Sequence, residues 1–341
     1  MQKLLDMEEK IVLSVRDFAS SLNAGGKVVA DMSALVNVTN QLPLANLDYW
    51  ERLIRSEFSS ASACSAQSNW KFFSQPQQLL TWLDLISWDG YKREKTLRTL
   101  SGSAPNSFFF SMALRRLNDW VPQVRLAARE QLPLIAQETD PKAVADAISI
   151  AVVSWSSWGR IEDADKEAFL QIMNREEVAE SLKTKLIVSA SGPMPFVFSQ
   201  LGRTNILDDS LYEIARNAIQ PALRAKAYRS LFEKRLVWSE GRKWEWTDIR
   251  YCQGRQKAVT SERKITVSIP FLDLLRDSSA DPSSVVRKVS AEFLIRELES
   301  LGHESKVYAD KFATDNATSV SERGHFALKQ LENMASNNAS S

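Results

Sequence analysis

Glycine and proline are scarce, at 11 each in 341 residues, below the ~7% and ~5% of an average chain. A β-sandwich or barrel turns often and uses both residues in its turns, so their scarcity points to helices. Cysteine is rarer still: Cys64 and Cys252 are too few for a disulfide framework or a four-thiolate zinc site. His303 and His325 have no Cys or His partner at ligand spacing. Long apolar runs are also missing. The richest, Ala147-Ile148-Ser149-Ile150-Ala151-Val152-Val153, is far short of the ~20 residues that span a bilayer. Ile11-Val12-Leu13, behind Asp6, Glu8 and Glu9, is too short for the apolar region of an export signal. The expectation is a cytoplasmic protein with no membrane association. Phosphate loops of the Gly-x-x-x-x-Gly-Lys type, Gly-x-Gly-x-x-Gly and His-Glu-x-x-His are absent, so no catalytic residue, cofactor or metal is assigned.

Hydrophobic residues make up 44% of the chain and charged residues 25%, enough apolar material for a substantial core. The net charge of +1 hides an uneven distribution. Residues 211–270 carry thirteen basic against six acidic side chains, and residues 71–135 nine against five.

A helix–turn–helix pattern recurs along the chain. Phe110, Ala113, Leu114 and Leu117 fall at helical spacing. Asn118-Asp119 and Pro122 then interrupt, Asp119 as a candidate cap and Pro122 as a first-turn residue. Val124, Ala128 and Leu132 follow on one face. The second-helix pattern returns as Leu223-Arg224…Ala227…Leu231 and, after Asp281-Pro282-Ser283, as Val286-Arg287…Ser290…Leu294. The small residue lets two helices approach, and the aliphatic ones fill the core between pairs. Fainter copies start at Lys92-Arg93, at Val178 and at 323, so first positions lie at 92, 124, 178, 223, 286 and 323. Drifting repeats with one insertion produce such spacing.

Val124-Arg125-Leu126-Ala127-Ala128 and Asp281-Pro282…Val286-Arg287 resemble the HEAT-repeat family. The clear matches cover about a third of the chain, only one unit has Asp-Pro, and the spacing is irregular. The resemblance implies an all-α, right-handed α-solenoid of HEAT-like helix pairs that holds a partner on a concave face. It also implies that Arg125, Arg224 and Arg287 bond to Asp or backbone groups of adjacent repeats; the alternative is a row of cations for phosphates or acidic side chains. Trp82 and Trp120, near helix turns, read as core between repeats. The run Glu162 to Glu167 reads as a helix cap.

The expected organisation is a helical capping region over 1–70, repeats over 71–236, an insertion over 237–270, further repeats over 271–332 and a disordered polar tail over 333–341. Residues 3–22 and 44–58 read as amphipathic helices. The insertion breaks the helical rhythm: Trp244, Trp246, Ile249 and Tyr251 alternate in part, and 264–269 more cleanly, which predicts a short loop or β-hairpin. Its candidate partner-binding residues are Arg242, Lys243, Trp244, Trp246, Arg250, Tyr251, Arg255 and Lys257, because Arg and aromatic side chains dominate interface hot spots. The first expectation is therefore a non-enzymatic scaffold, adaptor or inhibitor that binds a protein. The alternative is a HEAT-like nucleic-acid binder, up to and including a DNA-repair glycosylase, which the chain resembles in fold and residue types only, with rings stacking on bases and cations meeting phosphates. Overall neutrality speaks against that alternative, and the local excess of 211–270 speaks for it.

Overall fold

The computed structural model describes residues 2–23, 31–67 and 80–339. They form sixteen α-helices, a few 3-10 turns and one two-stranded sheet. The chain divides into two compact units, Met1–Leu182 and Lys183–Ser341.

The first unit contains α1 (Gln2–Asn23), α2 (Ser33–Thr39), α3 (Leu47–Gln67), α4 (Gly90–Thr99), α5 (Ser107–Leu114), α6 (Pro122–Glu138), α7 (Pro141–Ser154) and α8 (Asp163–Met173), with α9 (Glu176–Val188) running across the boundary. The amphipathic stretches predicted near the N-terminus are α1 and α3, which pack on each other. Local chemistry sets the helix starts: Asp89, Asn106 and Asp140 accept amide protons of the first turns of α4, α5 and α7, and Pro122 and Pro141 open α6 and α7. Glu162 caps α8 and exchanges hydrogen bonds with Asp165, as the acidic run predicts. Helices alternate in their packing, α4 on α6 and α6 on α8, with α5 on α7. The Cys64 side chain lies outside the described residues.

The second unit holds α10 (Met194–Leu201), α11 (Leu211–Asn217), α12 (Pro221–Glu233), β1 (Arg235–Asp248), β2 (Gln253–Lys264), α13 (Phe271–Ser279), α14 (Ser284–Arg296), α15 (His303–Ala313) and α16 (Thr318–Ala339). Here α12 packs on α14 and α14 on α16, while α11/α12, α13/α14 and α15/α16 pack as consecutive pairs. The repeated core positions are all buried: Val124, Ala128 and Leu132; Leu223, Ala227 and Leu231; Val286, Ser290 and Leu294. Gly324 is required by the last pair, because an added Cβ would sit 2.1 Å from the Ala313 amide nitrogen. Where a polar tail was expected, α16 continues from Asn333 to Ala339, with no Gly or Pro in that stretch to stop it. The insertion is a hairpin, longer than predicted, with strands of 14 and 12 residues.

One hydrogen-bonding arrangement recurs in both units. Arg93, Arg125, Arg224 and Arg287 are each the fourth residue of their helix. In each, Nη1 reaches back to carbonyls five or six residues earlier: Ser87 and Trp88 for Arg93, Asp119 for Arg125, Ala218 and Ile219 for Arg224, Asp281 and Pro282 for Arg287. The remaining nitrogens take a carboxylate of the next pair. Arg93 binds Asp119 at 2.9 and 2.7 Å, Arg224 binds Asp281 at 2.8 Å twice, and Arg287 binds Asp315 at 2.6 and 2.9 Å. Arg125 donates instead to Glu162 at 2.8 Å. Asp119 and Asp281 link successive rungs, because the carboxylate serves one arginine and the carbonyl the next. The rungs satisfy loop carbonyls that would otherwise lack a partner, through bidentate charge-assisted bonds.

Candidate functional site

The predicted binding residues all lie on the β-hairpin. Pairing of Lys243 with Lys257, Trp244 with Gln256, Glu245 with Arg255 and Trp246 with Gly254 sorts them onto two faces. One face carries Arg242, Trp244 and Trp246, the other Lys243, Glu245, Arg255 and Lys257. The indoles of Trp244 and Trp246 meet edge to face at 5.5 Å, in the geometry that ring quadrupoles favour. Trp244 also lies over Gly254, where a Cβ would come within 2.5 Å of the ring; only glycine lets the indole cover the opposite strand. Even so, Trp244 and Trp246 remain 44% and 54% exposed. On the charged face Glu245 accepts from Lys257 at 3.1 Å and lies 3.5 Å from Arg255. Lys257 and Arg255 hold its carboxyl below the usual carboxylate range. Lys243, Arg255 and Lys257 against one acid leave the face basic. Arg250 and Tyr251 are exposed in the connecting turn with Ile249, and Cys252, at φ 52°, completes it with an exposed thiol.

The base of the hairpin is held firmly. Arg263 donates to the carbonyls of Gly202 (2.6 Å) and Thr204 and to both oxygens of Asp208 at 2.9 and 2.6 Å. Arg203 grips Glu240 at 3.0 and 2.9 Å, Trp238 donates to the same carboxylate at 2.7 Å, and Leu236 is buried beside Gly202. Composition groups Trp238 and Arg263 with the other aromatic and basic residues of the insertion; the structure separates them as anchors. The eight candidate residues occupy the part beyond the clamp.

A second site, in the first unit, was not legible as a motif. A cavity of about 660 Å³ opens between α3, the α4 entry and the turns before α6 and α8. Its lining includes six arginines, three carboxylates and Trp88, Trp120 and Trp158. Glu51 on α3 is buried and accepts from Arg116 at 2.8 Å and from Arg55, with Arg115 at 3.4 Å. Arg116 also reaches Asp119 at 3.2 Å, which joins the cluster to the Arg93–Asp119 rung. Burial pushes the Glu51 carboxyl up, but Arg116, Arg115 and Arg55 more than reverse this and hold it below the usual range. Asp119 is likewise raised by burial and then lowered further by Arg93, the Val121 amide and Arg116.

Two expectations change here. Trp82 is buried as read, but Trp120 is 71% exposed on the cavity rim, as is Trp88 at 69%. Trp120 follows Asp119, whose carboxylate faces inward to Arg93, so the next side chain faces out. Asp119 also does not cap α6: the cap position is Val121, and Asp119 accepts the Val121 amide at 3.0 Å. The available signal was the spacing: Trp88 and Trp120 each stand five residues before a rung arginine.

Among the described residues no cluster of three or more His, Cys, Asp or Glu is placed to hold a metal ion. No helix among them is long and apolar enough to cross a membrane. Comparison with protein-family models, curated proteins and solved structures finds no match for the chain.

Proposed function

We propose that the chain is a HEAT-like binding protein, each unit a short run of stacked helix pairs, that docks a partner protein through the far half of its β-hairpin. The observation carrying this reading is the contrast within the hairpin: a base clamped by Arg263 and Arg203, and beyond it a preorganised indole pair left in water. Rigid aromatic side chains that are already ordered lose little conformational entropy on binding, so most of their burial appears as affinity. Alternating faces fit a partner with an apolar recess for Trp244 and Trp246, flanked by carboxylates for Arg242, Arg255 and Lys257. The four fourth-position arginines, bonded to the loop behind and the acid ahead, support the repeat reading, since an irregular helical bundle has no reason to reuse that geometry.

The test compares wild-type protein with the Trp244→Ala/Trp246→Ala double variant in capture from native cell extract, before and after nuclease treatment. The expected result is one protein retained by wild type through nuclease treatment and lost by the double variant. Unchanged circular dichroism and melting temperature would show that the fold survives. Retention of the same protein by the double variant would end the docking role. Loss on nuclease treatment alone would move the hairpin to nucleic acid.

A further inference from the structure

We infer that the arginine cavity of the first unit binds a single nucleic-acid strand, with phosphates on its arginines and bases on its tryptophans. This site is additional to the hairpin and rests on different residues. Two features of the cavity carry it.

The first is charge. Four arginines, Arg55, Arg93, Arg115 and Arg116, surround two buried carboxylates, Glu51 and Asp119. Asp48, on the surface, pairs with Arg115, and Arg52 and Arg160 add exposed cations. Six positive charges thus stand against three negative ones. The rungs elsewhere are balanced: Arg224 with Asp281, Arg287 with Asp315, and Arg125 with Arg129 against Glu162 and Asp165. A structural role needs only that balance; surplus cations around a partly enclosed cavity raise the local potential and concentrate anions. Several arginines are also fixed in place, Arg116 between two carboxylates and Arg93 by four acceptor contacts, so their positions are set before a ligand arrives.

The second feature is the aromatic rim. Trp88 and Trp120 are more than two-thirds exposed and Trp158 is half-buried, all three on the same cavity. Trp88 already carries the Arg55 guanidinium at 4.5 Å from its ring. Indoles left in water around one opening mark a binding surface rather than a packing accident. Acidic peptide would neutralise the arginines and leave the indoles wet. A strand supplies phosphates and flat ring faces together, which is how cationic grooves with aromatic platforms hold single strands. The net charge of the whole chain, +1, conceals this because the acids lie elsewhere, notably in 136–210 with twelve acidic and seven basic residues.

The test is fluorescence anisotropy with a labelled oligothymidylate of roughly ten nucleotides, inside the ~4–16 range of such sites, at ~50 and ~200 mM salt. The proposal expects binding that weakens at least tenfold between those salts. Trp120→Ala should weaken it about tenfold or more, as loss of one stacking platform does. Arg160→Ala should lower the salt slope by about 1; both side chains are exposed, so circular dichroism should be unchanged. Competition then separates the sources: unlabelled oligonucleotide displaces the probe, while thymidine monophosphate and polyglutamate at equal charge do not. No binding at ~50 mM salt would overturn the proposal. So would equal binding by Trp120→Ala, or displacement by polyglutamate as effective as by the oligonucleotide, which would transfer the site to acidic protein.

Discussion

Arg93 and Arg224 occupy the same position in their helices and make the same bonds to the loop behind them, yet their surroundings differ. Arg224 and Asp281 close on each other through two hydrogen bonds of 2.8 Å. Around Arg93, Asp119 is shared with Arg116, Arg116 with Glu51, and Glu51 with Arg55 and Arg115. A repeated structural device has been extended into a charged cavity in one unit and kept minimal in the other. The difference separates what stacking requires, one arginine and one acid per rung, from what exceeds it.

That comparison can be broken by measurement. Arg224→Ala leaves Asp281 buried without its cation and should cost about 3–5 kcal/mol in urea denaturation. Arg93→Ala should cost less, because Arg116 stays bonded to Asp119; an equal or greater loss would show that the cluster behaves as one indivisible rung. Glu51→Gln, which removes the charge but keeps the shape, should destabilise by roughly 1–3 kcal/mol at pH 7 by leaving its arginine donors poorly matched. Its effect on pH dependence has a definite sign. Glu51 and Asp119 are more acidic in the folded chain than their unfolded values of ~4.3 and ~3.9. Their stabilisation is therefore present in full above those values and is lost as pH falls through the lower folded ones. Wild-type stability should drop steeply below about pH 4, and Glu51→Gln should flatten that drop; an unchanged acid profile would mean that Glu51 is not linked to folding. The smallest effect is expected on the hairpin, where Arg255→Ala breaks an exposed pair with Glu245 and should leave the melting temperature unchanged within error.

The helical class was legible because it rests on local signals. The turn residues are few, capping residues precede α4, α5 and α7, and apolar side chains recur at helical spacing. The hairpin was legible as a break in that rhythm, and its eight candidate residues lie beyond the contacts of Arg203 and Arg263 at its base. Its length and its two faces were not, because Gly241 and Gly254 and two irregularities in register interrupt the alternation. Asp119-Trp120 was misread for a different reason. In sequence, a tryptophan beside an acid at a helix turn looks the same whether the ring or the carboxylate turns inward; here Arg93, 26 residues earlier, draws in the carboxylate.

What the sequence determined by itself is the helical class, the starts of several helices and the buried stripes that begin at Val124, Leu223 and Val286. These depend on backbone preferences and on residues three or four apart, which sense one another before any tertiary contact forms. Which arginines meet which acids was decided only when helices stacked. Glu51 and Arg116 stand 65 residues apart, and neither side chain carries a mark of the other. The charged cavity exists because stacking brings α3 and the turns before α6 and α8 to one place, where burial turns separate charges into a single electrostatic unit.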